Sequence, residues 1–167
     1  TSLATLLKTD TSQLESKLLL SINEIKGLEK KVSDYKQRLA TSQLGDLYNQ
    51  FEQVSDIAVL AVEIKDADRT MLRQIMDRLK QKHDNYAIVL ASVIGDEIAV
   101  VVGVSQSSHN SFTAVDLLKH LTDQIDGKGG GRADLAQGGG HNIAKLAGAL
   151  NSVVKWVDQL LVNSIKK

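Results

Sequence analysis

A chain of 167 residues is long enough for one compact domain and an appended element. With 43% hydrophobic and 24% charged residues, it has the balance of a soluble globular protein able to build a core. Its 20 basic and 20 acidic residues cancel to zero formal charge and it holds no cysteine, which excludes indiscriminate adhesion to nucleic acid or anionic membranes, a disulfide framework, and any thiolate nucleophile or metal ligand.

The opening residues, Thr1-Ser2-Leu3-Ala4-Thr5, show no charged region followed by an apolar stretch, so no signal peptide is expected. The missing initiator methionine reads as the mark of a piece of a longer chain. No apolar run approaches the roughly 20 residues a helix needs to cross a bilayer. A cytoplasmic setting without a membrane partner is the expectation.

Residues 1–54 read as a helical arm. A seven-residue repeat places Leu18, Ile25, Val32 and Leu39 at one seam position and Leu7, Leu14, Leu28 and Tyr35 at the other. Thr11 and Ser21 weaken the seam, and Glu24, Lys26, Glu29, Lys30, Lys31 and Lys36 surround it as a solvated coat. A lone helix cannot bury such a stripe. The stripe needs either the segment from Gly45 to Val54 folded back as an intramolecular hairpin, or a second chain in a coiled-coil homodimer.

From Ser55 the period changes, and residues 55–167 read as a globular subdomain. Ile57 to Ile64 is a β-branched apolar run, predicting a strand. Asp68 is placed to cap a helix with Leu72, Ile75, Met76 and Leu79 on its apolar face. Tyr86 to Ile94 and Ile98 to Val104 predict two strands joined tightly at Gly95-Asp96. Thr113-Ala114-Val115-Asp116 predicts a capping box opening a helix through Ile125, with an apolar stripe of Val115, Leu118, Leu121 and Ile125. After a glycine-rich segment, Asn142 is placed to cap a last helix with an apolar stripe from Ile143 to Leu161. The fold class is therefore α/β, of the α+β kind: a long helical, coiled-coil-type arm, then a small sheet of at least three strands with helices packed on it and a glycine-rich loop.

That loop carries the chemistry. Between Gly127 and Gly140 lie seven of the chain's 12 glycines, including two triplets around Arg132-Ala133-Asp134-Leu135-Ala136-Gln137. Glycine costs backbone entropy, so such density needs a reason. One reason is a flat partner approaching the bare backbone; the other is a tight crossover where backbones touch, or a plain flexible loop. Arg132 offers a planar fork for phosphate or for stacking on an unpaired base. Gln137 can donate and accept at a base edge. Lys128, His141 and Lys145 add charge, and the following helix start is a favourable anion position. The Walker pattern fails because Thr122 stands where its first glycine belongs, and the dinucleotide pattern fails at Arg132.

Other constellations read as structural. His83, His109, His120 and His141 lack a His-x-x-x-His spacing and are expected at surface or capping positions, not as metal ligands. Ser105, Ser107 and Ser108 near His109 form no nucleophile elbow and suit turn chemistry. Asp116 belongs to the capping box, and Asp126 is expected to be solvated near a helix end. Trp156 is expected to pack at the core or its rim. No catalytic residue and no metal site are expected.

The segment Asp126-Gly127-Lys128-Gly129-Gly130-Gly131-Arg132, followed by Ala136-Gln137-Gly138-Gly139, resembles the signature near the C-terminus of bacterial-type alanyl-tRNA synthetases. The order of elements is also similar to the accessory domain that follows DHH phosphoesterase domains. The resemblance covers the whole chain in element order and residues 126 to 140 at motif strength. It implies a parent enzyme that activates alanine with ATP and magnesium, charges tRNA-Ala, and edits mischarged tRNA in a zinc-dependent domain. This fragment itself would hold no cofactor. The C-terminal domain of the family grips the outer corner of tRNA, where the D and T loops meet, and dimerises some members. That role carries onto Lys128, Gly129, Gly130, Gly131, Arg132, Gln137, Gly138 and Gly139 as the RNA-binding residues. Two other readings stand beside it: a nucleic-acid-clamping domain of a DHH phosphoesterase, and a purely structural dimerisation module.

Overall fold

The computed structural model describes residues 11–165, with side chains described for 12–35 and 44–163. Leu7 of the seam and the opening residues Thr1 to Thr5 lie outside them, as do the side chains of Lys36 and Leu39. The chain divides into two units between Ser42 and Gln43.

Helix α1 runs from Leu14 to Tyr48 after a short 3-10 turn. Leu14 is half-buried, and the other described seam residues are open to solvent: Leu18 is 49% exposed, Ile25 55%, Leu28 53%, Val32 53% and Tyr35 61%. The folded-back hairpin expected from Gly45 to Val54 is not formed. Gly45 to Tyr48 continues α1, and Glu52–Val54 is a strand, β1. The helix continues because Leu44 and Leu47, which belong to the second unit, are buried one turn apart and anchor its last turn there.

The second unit carries β1 (Glu52–Val54), β2 (Ile57–Glu63), α2 (Arg69–Lys80), β3 (Tyr86–Ile94), β4 (Glu97–Val104), α3 (Ala114–Thr122), β5 (Lys128–Gly131), β6 (Leu135–Gly140) and α4 (Ile143–Ile165). One mixed sheet is ordered β1-β2-β3-β4-β6-β5, with β2 and β3 parallel and the other pairs antiparallel. The parallel pair requires a crossover, and α2 supplies it. Helix α2 covers one face with Met71, Leu72, Ile75, Met76 and Leu79. Helices α3 and α4 cover the other, where Leu117, Leu118, Leu121, Leu146, Val153 and Val157 meet Val59, Val89, Val100 and Val102. Alternation along each strand sends neighbouring residues to opposite layers, which is why β3 and β4 read as continuous apolar runs.

Local signals settle the element ends. The Asp68 carboxylate accepts from the Met71 N–H at 2.8 Å, capping α2. Thr113 and Asp116 form a reciprocal capping box at α3. Gly95 takes φ 60° in the β3–β4 turn. Helix α3 stops at Thr122 and does not reach Ile125. The Gly127 N–H donates back to the Thr122 carbonyl at 2.8 Å and Asp126 turns to φ 53°, so the chain leaves the helix to start β5.

Candidate nucleic-acid interface

The glycine segment is a β-hairpin at the sheet edge, not a loop. Lys128 stands opposite Gly139, Gly129 opposite Gly138, Gly130 opposite Gln137, and Gly131 opposite Ala136. Glycine is a poor strand former, so its presence here has another cause. A Cβ on Gly129 would lie 2.7 Å from the Gln137 carbonyl oxygen, the Gly138 Cα and Leu118 Cδ2. One on Gly138 would lie 2.6 Å from the Lys128 carbonyl oxygen. A Cβ on Gly127, Gly131, Gly139 or Gly140 would strike the carbonyl oxygen of Gly139, Leu135, Ile98 or Ile125 respectively. Six of the seven glycines are therefore required by backbones that touch. Gly130 differs: a Cβ there would meet nothing within 4 Å.

Paired residues share a face. Gly129, Gly131, Ala136, Gly138 and Gly140 share the α3–α4 side, where Leu118 lies against Gly129 and Ile125 against Gly140. Lys128, Gly130, Gln137 and Gly139 lie on the α2 side. Of the sequence-predicted site residues, the structure thus brings Lys128, Gly130, Gln137 and Gly139 onto one face. The positions a Cβ would take on Gly129, Gly131 and Gly138 lie on the opposite side of the hairpin, although Gly129 and Gly131 remain exposed. Arg132 sits in the connecting turn with its Nε 3.4 Å from the Asp134 carboxylate, its side chain 79% exposed.

One end of that face forms a groove of about 450 Å³, lined by Arg69, Glu97, Ile98, Asp126, Gly127, Lys128, Gly139, Gly140 and His141. Arg69, Lys128 and His141 bring positive or switchable charge, and Glu97 and Asp126 offset it. Asn142 donates its side-chain amide to the Asp126 carboxylate at 2.7 Å. The N–H groups of His141 and Asn142 both donate to the Ile125 carbonyl, at 3.1 and 3.0 Å. The start of α4 is thereby poorer in free donors for an anion than its place after a glycine triplet suggested. Arg69 and Glu97 carry no sequence signal for this site. Nothing local links the first residue of α2 to the glycines; the sheet alone does. His141 was legible as the residue after the second triplet.

The remaining candidates are structural in their contacts. Asn85 Oδ1 accepts hydroxyl donors from Ser105 at 2.7 Å and from Ser107 and Ser108 at 2.8 Å, so these serines tie the ends of β3 and β4 together. His120 stacks on Trp156 with ring centroids 5.1 Å apart, and its Nε2 lies 2.9 Å from Ser152 Oγ and 3.1 Å from Gln124 Nε2. Burial lowers the His120 pKa below its ordinary value, opposed by the Asp123 carboxylate. Trp156 also meets Phe112 edge-on at 5.5 Å, at the core rim. His83 lies against Phe51 at 4.3 Å. Burial raises the Tyr86 phenol, helped by Asp134 and Asp77. A larger groove of about 910 Å³ opens between the β1 segment, β2 and α4, lined by Phe51, Val59 and Val154 among others, with mixed charge from Glu52, Lys155 and Asp158.

Among the described residues no three His, Cys, Asp or Glu side chains gather where they could hold a metal. No helix among them is long and apolar enough to cross a membrane.

Residues 56–162 match the DHHA1 domain family. The alanine–tRNA ligase of Hydrogenovibrio crunogenus is 44% identical over 156 residues, which is 93% of this chain and 18% of the ligase. That of Coxiella burnetii is 42% identical over 160 residues, 96% of this chain and 18% of the ligase. The chain thus spans 18% of the length of these relatives. Among solved structures, the C-Ala domain from Aquifex aeolicus alanyl-tRNA synthetase superposes with a TM-score of 0.60 at 30% identity, covering 65% of this chain and 97% of that one. RecJ from Thermus thermophilus has a TM-score of 0.57 at 14% identity, over 90% of this chain and 20% of that one, a likeness of fold alone.

Proposed function

The chain belongs to the DHHA1 domain family, with the C-Ala domains of alanyl-tRNA synthetases, and from that premise we propose that it is a non-catalytic module that grips the outer corner of tRNA. Its partner is tRNA-Ala, and its setting is the cytoplasm. By holding the corner, the module raises the local concentration of the acceptor end at the parent enzyme's charging and editing centres. ATP, magnesium and zinc belong to those centres.

The observation that carries this reading is the outer face of the β5–β6 hairpin. There Lys128 and Gln137 stand exposed on a floor with few side chains, between Arg69 and His141 at one end and Arg132 at the other. Cations position a phosphate backbone, and a level backbone floor admits a ribose or an unstacked base. Zero net charge suits recognition of shape over broad electrostatic attraction.

The test is a titration of the chain with intact tRNA and with the same tRNA disrupted in its D and T loops, at two salt concentrations. Affinity lost on disrupting the corner supports the reading. Equal, salt-sensitive affinity for both RNAs reduces it to weak electrostatics, and no binding overturns it.

A second reading, homodimerisation through α1, is favoured by one observation. Leu18, Ile25, Leu28 and Val32 repeat at coiled-coil spacing and each is about half exposed in a single chain.

A further inference from the structure

We infer that one flank of α2, carrying Arg69, Arg73 and Lys80, is a phosphate-contacting rail beside the Gly130–Gln137 floor, so that the RNA backbone lies in the trough between them. The inference rests on the RNA-binding reading above and extends it to a helix outside the glycine segment.

The rail follows from helical spacing and two fixed points. At 3.6 residues per turn, positions 69, 73, 76 and 80 fall along one flank of α2. At its first turn, Arg69 Nη2 lies 3.5 Å from where a Cβ on Gly139 of β6 would sit. At its last turn, Met76 Sδ and Lys80 Cε lie 2.7 and 3.1 Å from where a Cβ on Gly103 of β4 would sit, and Gly103 pairs with Leu135 of β6. The start of this flank therefore borders β6 and its end borders β4, so the flank lies on the side of α2 nearer the hairpin. Arg73, exposed, stands one turn after Arg69 on that flank. From Arg69 to Lys80 the rail is about 16 Å long, enough to follow several phosphates of one strand. Among the described residues, neither Arg69, Arg73 nor Lys80 is engaged in an ion pair; the carboxylates around the rail are Asp68, which caps α2, Asp77 on α2, and Glu97 and Asp126 in the groove.

The floor has its own anomaly. Gly130 is the one glycine of the hairpin that the fold does not require: its Cβ would meet nothing, and its φ is not in the left-handed region. A side chain there would strengthen the strand. It would also rise beside Gln137 on the face the rail overlooks. A bare Gly130 keeps that face level for a ribose or base.

The test uses the whole chain, intact tRNA, and binding measured across a series of salt concentrations. Arg73→Gln with Lys80→Gln is expected to weaken binding at least tenfold and to lower the slope of log affinity against log salt by about one to two, at slightly under one per phosphate contact. Arg73→Lys keeps the slope, and Lys155→Gln on α4 changes neither. Gly130→Val is expected to weaken binding several-fold with the slope unchanged, since it removes space and no charge. Circular dichroism and melting should be unaltered for Arg73→Gln, whose side chain is exposed. Wild-type affinity and slope in the double variant, with binding by the wild type intact, would overturn the rail and leave the RNA-binding reading standing. A wild-type chain that binds no tRNA, or that prefers an acidic peptide, overturns both.

Discussion

Arg69 meets Gly139 of β6, the strand next to the sheet edge: the arginine Nη2 lies 3.5 Å from the point a side chain on Gly139 would start from. The first residue of α2 thereby reaches over a strand that is bare because the Ile98 carbonyl leaves no room for a Cβ. Gly139→Ala should cost about 1–3 kcal/mol by overpacking. Gly130→Ala, in the same hairpin, should be neutral or stabilise by about 0.5–1 kcal/mol, because only backbone entropy changes. Urea midpoints of the two variants check this. Equal losses at both positions would mean that the hairpin tolerates no side chain for a reason other than crowding.

Asn85 holds three serine hydroxyls on one carbonyl oxygen and donates its amide to Asp56 at 2.8 Å. Ser105 Oγ in turn accepts the Tyr86 N–H at 3.1 Å. Asn85→Ala leaves the buried hydroxyls of Ser105 and Ser108 without their shared acceptor, and should cost about 1–3 kcal/mol. In combination with Ser108→Ala the losses should be less than additive, because both act on one network. Chemical denaturation of the two single variants and the double variant measures the coupling; strict additivity would dismiss the network.

Burial, beside the Trp156 ring, disfavours the charged form of His120 and outweighs the opposing pull of the Asp123 carboxylate, so its folded pKa lies below the unfolded one. The unfolded chain then binds more protons in the window below the ordinary histidine value. The stability this group contributes is present above about pH 6.5 and is lost as pH falls through its lowered folded pKa. Thermal melts between neutral and mildly acidic pH should therefore fall more steeply for the wild type than for His120→Gln. Parallel curves would place the acid sensitivity elsewhere.

Leu18 and Ile25 lie two turns apart on α1 with about half of each side chain exposed. If a second copy covers them, Leu18→Lys with Ile25→Lys converts a dimer into a monomer of unchanged helix content in the second unit. Light scattering across a micromolar concentration series decides it, and a wild-type monomer throughout removes the coiled-coil reading.

The local signals were legible because their causes are local. The Asp68 cap, the Thr113–Asp116 box and the Gly95 turn each depend on bonds among neighbours within a few residues. Strand β1 was missed because its three residues bury only Val54, too little to leave a pattern. The end of α3 was misplaced because Ile125 keeps the helical apolar spacing while Asp126 has already turned to φ 53°.

The glycine hairpin marks the division most sharply. By itself the sequence determined the arm's heptads, the order of the apolar strands β2 to β4 and of the helices, and the segment on which an interface would be built, because periodicity and glycine density are properties of the chain. Tertiary structure alone decided that six of those glycines serve contact between backbones and one does not. It alone decided that Lys128 and Gln137 share a face, and that Arg69 joins them. Those outcomes depend on which strands pair and which helix crosses over them, and pairing is set by burial across the whole sheet, which no window of sequence contains.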